Sequence, residues 1–314
     1  FVICLVLGIF LIFFNKYEFK KISFYEKIIT VLFGYLFLPL IISLPYYLSI
    51  NNIDFLNCYF ESVSGFSSTG FTIFENIKQI NQSLILWRST SQWIGGLYFL
   101  FSILLLIDIF DENLKKSLTN YLSFNSSEIF KQSLKIIIVY TSLTFVSFVI
   151  LKFINFRTFD AFNFALTIVS SGGFLPTNNF SSLIQGDAEK IIFSLLMLIS
   201  YFSLFLIYNL LFFKKKNINF ISEDYYLFIY LLVVISFIFV FFNNENNFLN
   251  ILFAISSSVS NIGISLNYTS TNLSFVFLIL VIIGGSFFST SSGLRLIKIL
   301  SLIKFSLNNL LSHT

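Results

Sequence analysis

The chain alternates long apolar runs with short polar intervals. A helix that spans the hydrocarbon core of a bilayer needs about 20 predominantly apolar residues, within a range of about 17 to 25. Runs near that length cover roughly Phe1–Phe14, Ile28–Leu48, Leu84–Ile107, Leu134–Ile154, Ile191–Phe213, Tyr225–Phe242 and Leu273–Leu302. Between them lie three shorter stretches speckled with small polar residues: DFLNCYFESVSGFSSTGF, TFDAFNFALTIVSSGGF and NFLNILFAISSSVSNIGI. Each is too short to cross and too apolar for a solvated loop. That combination predicts a re-entrant half-helix, which enters the membrane and returns on the same side.

The three stretches align without gaps on Gly70, Gly173 and Gly263, which are 103 and 90 residues apart. Four residues before each glycine stand Phe66, Val169 and Val259; three before, Ser67, Ser170 and Ser260; one after, Phe71, Phe174 and Ile264. The repeating unit is therefore span, half-helix, small polar turn, span, and three copies are present. The predicted fold class is an all-α polytopic membrane protein made of parallel repeats around a central ion path. An N-terminal piece covers 1–27, and the pore repeats cover 28–127, 128–223 and 224–314.

Composition agrees with a membrane chain, since 56% of its 314 residues are hydrophobic and 11% charged, against about 25% charged in a soluble domain. Forty-five Phe reflect an unusual residue supply, so aromatic content carries no functional weight. Charge sets the orientation. With the half-helices entering from outside, fourteen Lys and Arg lie on the inner side and five on the outer side, while acids divide eight to seven. That bias is the positive-inside signature and turns the polar loops outward. Each repeat then begins and ends inside, so the copies are related by an axis along the membrane normal and enclose a path.

The lone histidine, His313, leaves no His-based metal site or triad, and Cys4 and Cys58 match no metal or redox spacing. Both cysteines read as inert small hydrophobes, and no enzymatic activity, cofactor or nucleic-acid partner is expected. What remains is the polar turn. A cation crossing hydrocarbon must have its hydration shell replaced, and rings of backbone carbonyls do this without full charges. Glycine permits backbone conformations closed to other residues and close approach of an ion. Neighbouring Ser and Thr can bond backbone groups that lipid cannot serve. SSTGF, SSGGF and SNIGI each fit one wall of a selectivity filter, with the bulky residue after the glycine packed behind the wall. A single such stretch would read as close helix packing through small residues; three in register favour the filter.

The last apolar run is interrupted by GGSFFSTSSG, Gly284–Gly293. Adjacent glycines followed by Ser289, Thr290, Ser291 and Ser292 weaken a helix. Two readings stay open there: close packing through Gly284 and Gly285, or a broken helix that lines a cavity. Glu61 inside the first half-helix either raises local cation concentration or satisfies backbone donors. Arg88 either snorkels to the outer interface or bonds a pore loop. Trp87 and Trp93 read as interfacial anchors. Lys214–Lys216 cap a span on the inner side, where a partner or anionic lipid could also use them.

The motifs FESVSGFSSTGFT, WRSTSQWIGGLYFLFSILLL, SSGGF and IIGGSFFSTSSGLRLIKILSLIK resemble the superfamily of Trk, Ktr and HKT potassium transporters, most closely the Trk-type membrane subunit. That resemblance covers essentially the whole chain. It implies four span–pore–span repeats around one ion path and a filter lined by carbonyls near Ser68, Thr69 and Gly70, near Ser171, Gly172 and Gly173, and near Asn261, Ile262 and Gly263. It also implies that Gly70 goes with potassium preference, where serine goes with sodium. Gly284, Gly285, Ser289, Thr290, Ser291, Ser292 and Gly293 would belong to a gating loop below the filter, although Phe287 and Phe288 make this copy bulkier than the usual pattern. The implied setting is the plasma (inner) membrane, multi-pass and in contact with membrane lipids, as a homodimer with a cytosolic nucleotide-binding regulatory subunit. Potassium would be the transported substrate. Alternatives are an inactive truncated scaffold and a sodium-permeable transporter.

The chain starts inside an apolar run at Phe1 and ends directly after the third repeat. The expectation is a fragment, with a fourth repeat outside it; the alternative is a ring completed by another chain.

Overall fold

The computed structural model describes residues 23–51, 53–106, 129–178, 180–184, 186–204, 206, 222–242, 248–266 and 273–312. The run expected at Phe1–Phe14, and Lys214–Lys216, lie outside these residues. All regular structure among the described residues is helical. The first repeat comprises α1 (Phe24–Ser49), α2 (Phe55–Phe66) and α3 (Gln82–Leu105). The second comprises α4 (Ile129–Phe153), α5 (Thr158–Val169) and α6 (Asp187–Met197). The third comprises α7 (Ser222–Phe242), α8 (Phe248–Val259), α9 (Ser274–Ile283) and α10 (Leu296–Ser312).

Local chemistry explains the boundaries. Ser23 and Glu26 form a reciprocal capping box at the start of α1, Ser23 N–H donating to the Glu26 carboxylate at 2.8 Å. Pro39 and Pro45 lie inside α1, where each lacks an N–H and crowds the preceding turn. The carbonyls of Leu36 and Ile42, one turn before each proline, also accept from Tyr59 Oη at 3.1 Å and Trp87 Nε1 at 3.0 Å. These bonds dock α1 to the rest of the first repeat.

Burial is inverted relative to a soluble protein. Glu61, Arg88, Gln92, Asn163, Thr167 and a set of serines are buried, whereas Ile29, Leu32, Phe33 and Leu36 of α1 and Phe145 of α4 are exposed. Exposed apolar belts outside and polar groups hydrogen-bonded inside suit lipid as the solvent. The molecule is a multi-pass membrane protein. Each half-helix is wedged between spans: α3 packs against α2 of its own repeat and α5 of the next, and α6 packs against α8.

The two inter-repeat seams are built differently. Between the first and second repeats, contacts from Arg88 and Gln92 of α3 to the second loop lie beside an apolar cluster that includes Leu100, Ile103, Ile136, Val139 and Leu143. Between the second and third they are aromatic: Phe164, Phe180, Phe193 and Phe253 form a connected cluster with centroids 5.1 to 5.8 Å apart.

The span expected over Ile191–Phe213 is not continuous in its described part. After α6 a short 3-10 turn, Leu198–Ser200, leads into a non-helical bend at Tyr201–Ser203. It falls twelve residues after the N-cap of α6, Gly186, just as Gly285 falls twelve after the N-cap of α9, Leu273. Two successive second spans thus break at the same level.

Candidate functional site

The three half-helices end alike. α2, α5 and α8 each have 12 residues and stop four residues before the aligned glycine. The next-but-one residue is left-handed in every copy: Ser68 (φ 54°), Ser171 (φ 54°) and Asn261 (φ 57°). Around it the backbone closes a complete Schellman motif. Ser68, Ser171 and Asn261 N–H donate to Gly65, Ile168 and Ser258 O at 3.0, 3.2 and 3.2 Å; Thr69, Gly172 and Ile262 N–H donate to Ser64, Thr167 and Ser257 O at 2.9, 2.9 and 3.2 Å. Gly70, Gly173 and Gly263 then take φ of 82°, 83° and 75°, open to glycine at no steric cost. The negative ends of three helix dipoles therefore point toward the shared turns, a field that favours a cation.

The turns meet side by side. A Cβ on Gly70 would lie 2.9 Å from Gly172 O, and one on Gly173 would lie 2.5 Å from Ile262 O. Each glycine is thus pressed against a carbonyl of the next loop, and a methyl group at Gly173 would occupy that carbonyl's space. Among the described residues nothing lies within 4 Å of the corresponding position at Gly263. The structure brings Ser68–Gly70, Ser171–Gly173 and Asn261–Gly263 into one arc that is open on one flank. A cleft lies on that flank between the first and third loops, and its lining includes Ser67, Thr69, Ser257, Asn261 and Ser265.

The arc is braced from α3. Arg88 donates through Nε to Glu61 Oε1 at 2.8 Å and through Nη2 to Thr72 Oγ1 at 3.0 Å, and Glu61 accepts the Ile73 N–H at 2.9 Å. Both charges are buried, at 1% and 0% exposure. Of the two roles left open for each residue, Glu61 is an acceptor for its own loop and Arg88 a loop brace. The guanidinium also stacks 4.2 Å from the Phe174 ring centroid. One turn further along, Gln92 Nε2 donates to Gly172 O, while its Oε1 accepts from Phe174 N–H and Thr167 Oγ1, both at 3.3 Å. One helix thus fixes two loops, and one lone pair of the Gly172 carbonyl is already engaged. Gly95 completes the fit, since a Cβ there would overlap the carbonyl of Phe66 at the end of α2.

Three expectations need correction. Phe174 and Ile264 are buried behind their walls at 2% and 3% exposure, but Phe71 is 68% exposed. The cause is positional: Phe174 packs beneath α3 and Ile264 joins the Phe193–Met197 cluster of α6, so each is covered by the preceding repeat's second span. Among the described residues no such span precedes Phe71. Second, Trp87 and Trp93 are struts rather than anchors, donating to Ile42 O on α1 and to Thr144 Oγ1 on α4 at 3.0 and 2.9 Å. Third, a hydroxyl six residues before each glycine (Ser64, Thr167 and Ser257) forms a column that the alignment of three, four and plus one passed over. Ser64 and Thr167 donate to the carbonyl after the glycine, Phe71 O and Phe174 O.

Below the arc, α9 stops at Ile283, with Gly284 at φ 65° and Gly293 at φ 106° framing a non-helical loop. A broken helix, not helix packing, is therefore the form taken. The loop lies on the break in the second repeat. Ser286 N–H donates to Tyr201 O at 2.9 Å, Ser291 N–H to Ser200 O at 3.1 Å, and Leu204 N–H to Phe288 O at 3.0 Å. Backbone groups freed by one break satisfy those freed by the other, as hydrocarbon requires. Asp224 Oδ1 accepts Ser203 N–H at 3.0 Å, and Arg295 Nη1 reaches Ser286 O at 2.6 Å. Phe287 and Phe288 are buried in the core with Leu100, Tyr140 and Val169. A small opening separates the loop from the arc; Ser67, Ser68, Ser171, Asn261 and Thr290–Ser292 are among its lining residues.

Pore half-helices and polar turns repeated around one axis, braced by full spans, define the class: an all-helical membrane protein of the pore-loop transporter fold. The solved potassium transporter TrkH of Vibrio parahaemolyticus shares this fold with a TM-score of 0.75 at 21% identity, over 94% of this chain and 64% of that one. An uncharacterized cation transporter of Methanocaldococcus jannaschii is 25% identical over 91% of this chain and 60% of its own length. The Trk system potassium uptake protein TrkG of Escherichia coli (strain K12) is 26% identical over 91% of this chain and 63% of its own length. The chain thus spans 60 and 63% of the length of these two curated relatives. No protein-family model matches it. Motifs, sequence relatives and fold agree that the chain is related to the Trk-type potassium transporters.

Proposed function

We propose that the chain forms most of the potassium path of a Trk-like uptake system, with potassium as the transported ion and no cofactor or enzymatic activity. Carbonyls of Ser68–Gly70, Ser171–Gly173 and Asn261–Gly263 replace the ion's hydration shell. Gly284–Gly293 closes the path beneath them. The repeats 28–127, 128–223 and 224–314 act as parallel units in the inner membrane, with their pore loops facing outside. The observation that carries this reading is the arc of three turns with the same backbone form, in which Gly70 and Gly173 are each set against the next loop's carbonyl.

A fourth wall of the same kind completes the ring. Two findings support this: Gly263 faces empty space on one end of the arc, and Phe71 is bare on the other. As the membrane subunit of a multi-component system, the protein would work as a homodimer with a cytosolic nucleotide-binding regulator. The test is growth of a potassium-uptake-deficient host at low potassium. The full-length protein restores growth if the proposal is right; a well-expressed protein that fails to do so refutes it.

A further inference from the structure

The left-handed residue of each pore turn is Ser in the first two repeats and Asn in the third. Serine is too short to leave its own loop. The carboxamide of Asn261 is not: Nδ2 donates to Ser292 Oγ and also reaches Val281 O at 3.3 Å. These partners lie on opposite sides of the break below the filter. Val281 belongs to the last turn of α9, and Ser292 lies on the non-helical segment that returns beside it, where Leu294 N–H bonds Ile282 O at 2.8 Å and Arg295 N–H bonds Ile283 O at 3.0 Å. One carboxamide therefore clamps the neck of the intramembrane loop to a filter turn. A second tie holds the loop elsewhere, since Thr290 Oγ1 donates at 2.8 Å to the carbonyl of Val169, the last residue of α5.

We propose that Asn261 is a coupling residue: its side chain transmits the state of the third filter turn to the intramembrane loop and holds that loop across the path. This inference rests on the filter and gate roles proposed above. It adds to them that the link is a specific hydrogen bond from a filter residue's side chain, not contact between backbones. A residue that tolerates the left-handed region and also reaches a neighbouring segment is what the position demands, and Asn meets both requirements.

The experiment is rubidium uptake and its inhibition by sodium, measured on the full-length protein in cells and normalised to membrane amount. Asn261→Ser, which installs the residue of the other two turns, and Ser292→Ala, which leaves the filter turn intact, cut the same bond from opposite ends. Each should raise the uptake rate by roughly two- to tenfold, the range one hydrogen bond is worth. The double variant should do no more than the larger single, as expected for partners in direct contact. Thr290→Val cuts the separate tie, and its effect should multiply with that of Asn261→Ser. Sodium inhibition should stay unchanged in Ser292→Ala and Thr290→Val, which leave the three filter turns intact. Unchanged or lowered uptake in Ser292→Ala, or effects of Asn261→Ser and Ser292→Ala that multiply, would overturn the coupling role. Absence of rubidium uptake in the unsubstituted protein would instead refute the transport reading beneath it.

Discussion

The same two positions carry different chemistry in each repeat. Nine residues before the glycine stand Glu61, Phe164 and Ala254, and seven residues after the N-cap of the following helix stand Arg88, Phe193 and Leu280. The first repeat joins them as a buried ion pair, and the second as an edge-to-face aromatic pair at 5.5 Å. Removing one member of a buried pair costs about 3–5 kcal/mol, because the other charge is left uncompensated. Arg88→Leu should therefore sharply lower thermal stability in detergent, and adding Glu61→Leu should restore part of it, as the apolar versions in the other repeats suggest. Gln92→Leu strips loop two of its side-chain partners, at about 1–3 kcal/mol for each buried group left unmet. Its expected readout is stronger sodium inhibition of rubidium uptake. Sequence periodicity exposed the columns around each glycine because they recur. Arg88 and Gln92 do not recur, so their contacts to two different loops were invisible to a repeat alignment, although their spacing of four on one helix face was a usable signal. Phe71 misled for the complementary reason, since a shared column position does not ensure a shared neighbour.

At the scale of elements, half-helices and most spans were legible from apolar run length alone. The break at Leu198–Ser203 was not, because it contains neither Gly nor Pro. It persists because its freed carbonyls at Ser200 and Tyr201 are met by the loop of the third repeat and its Ser203 N–H by Asp224. A tertiary partner thus overrides a local preference for helix. Asp224 is buried at 2% exposure, so Asp224→Leu should destabilise the protein by roughly 1–3 kcal/mol in thermal unfolding. Asp224→Asn keeps an oxygen acceptor and should cost clearly less; equal losses would show that Asp224 does not serve the break. The α2–α3 contact supplies a second check. Gly95→Ala should be severe because Phe66 backbone stands in the way, whereas Gly34→Ala meets only the movable end of Tyr98 and should be mild.

For the whole molecule, the two bare sites at opposite ends of the arc describe one geometry. Among the described residues Phe71 has no preceding span against it and Gly263 has no neighbour within 4 Å of its Cβ position. The charge asymmetry, the inverted burial and the shared level of two helix breaks all fit a path that runs along one axis. That the turns select potassium is the claim on which the rest depends. It is tested most directly by comparing sodium inhibition of rubidium uptake for the full-length protein and its Gly70→Ser variant at matched membrane levels. Inhibition should be weak in the unsubstituted protein and strong in Gly70→Ser; identical inhibition in the two would rule out potassium selection by these turns.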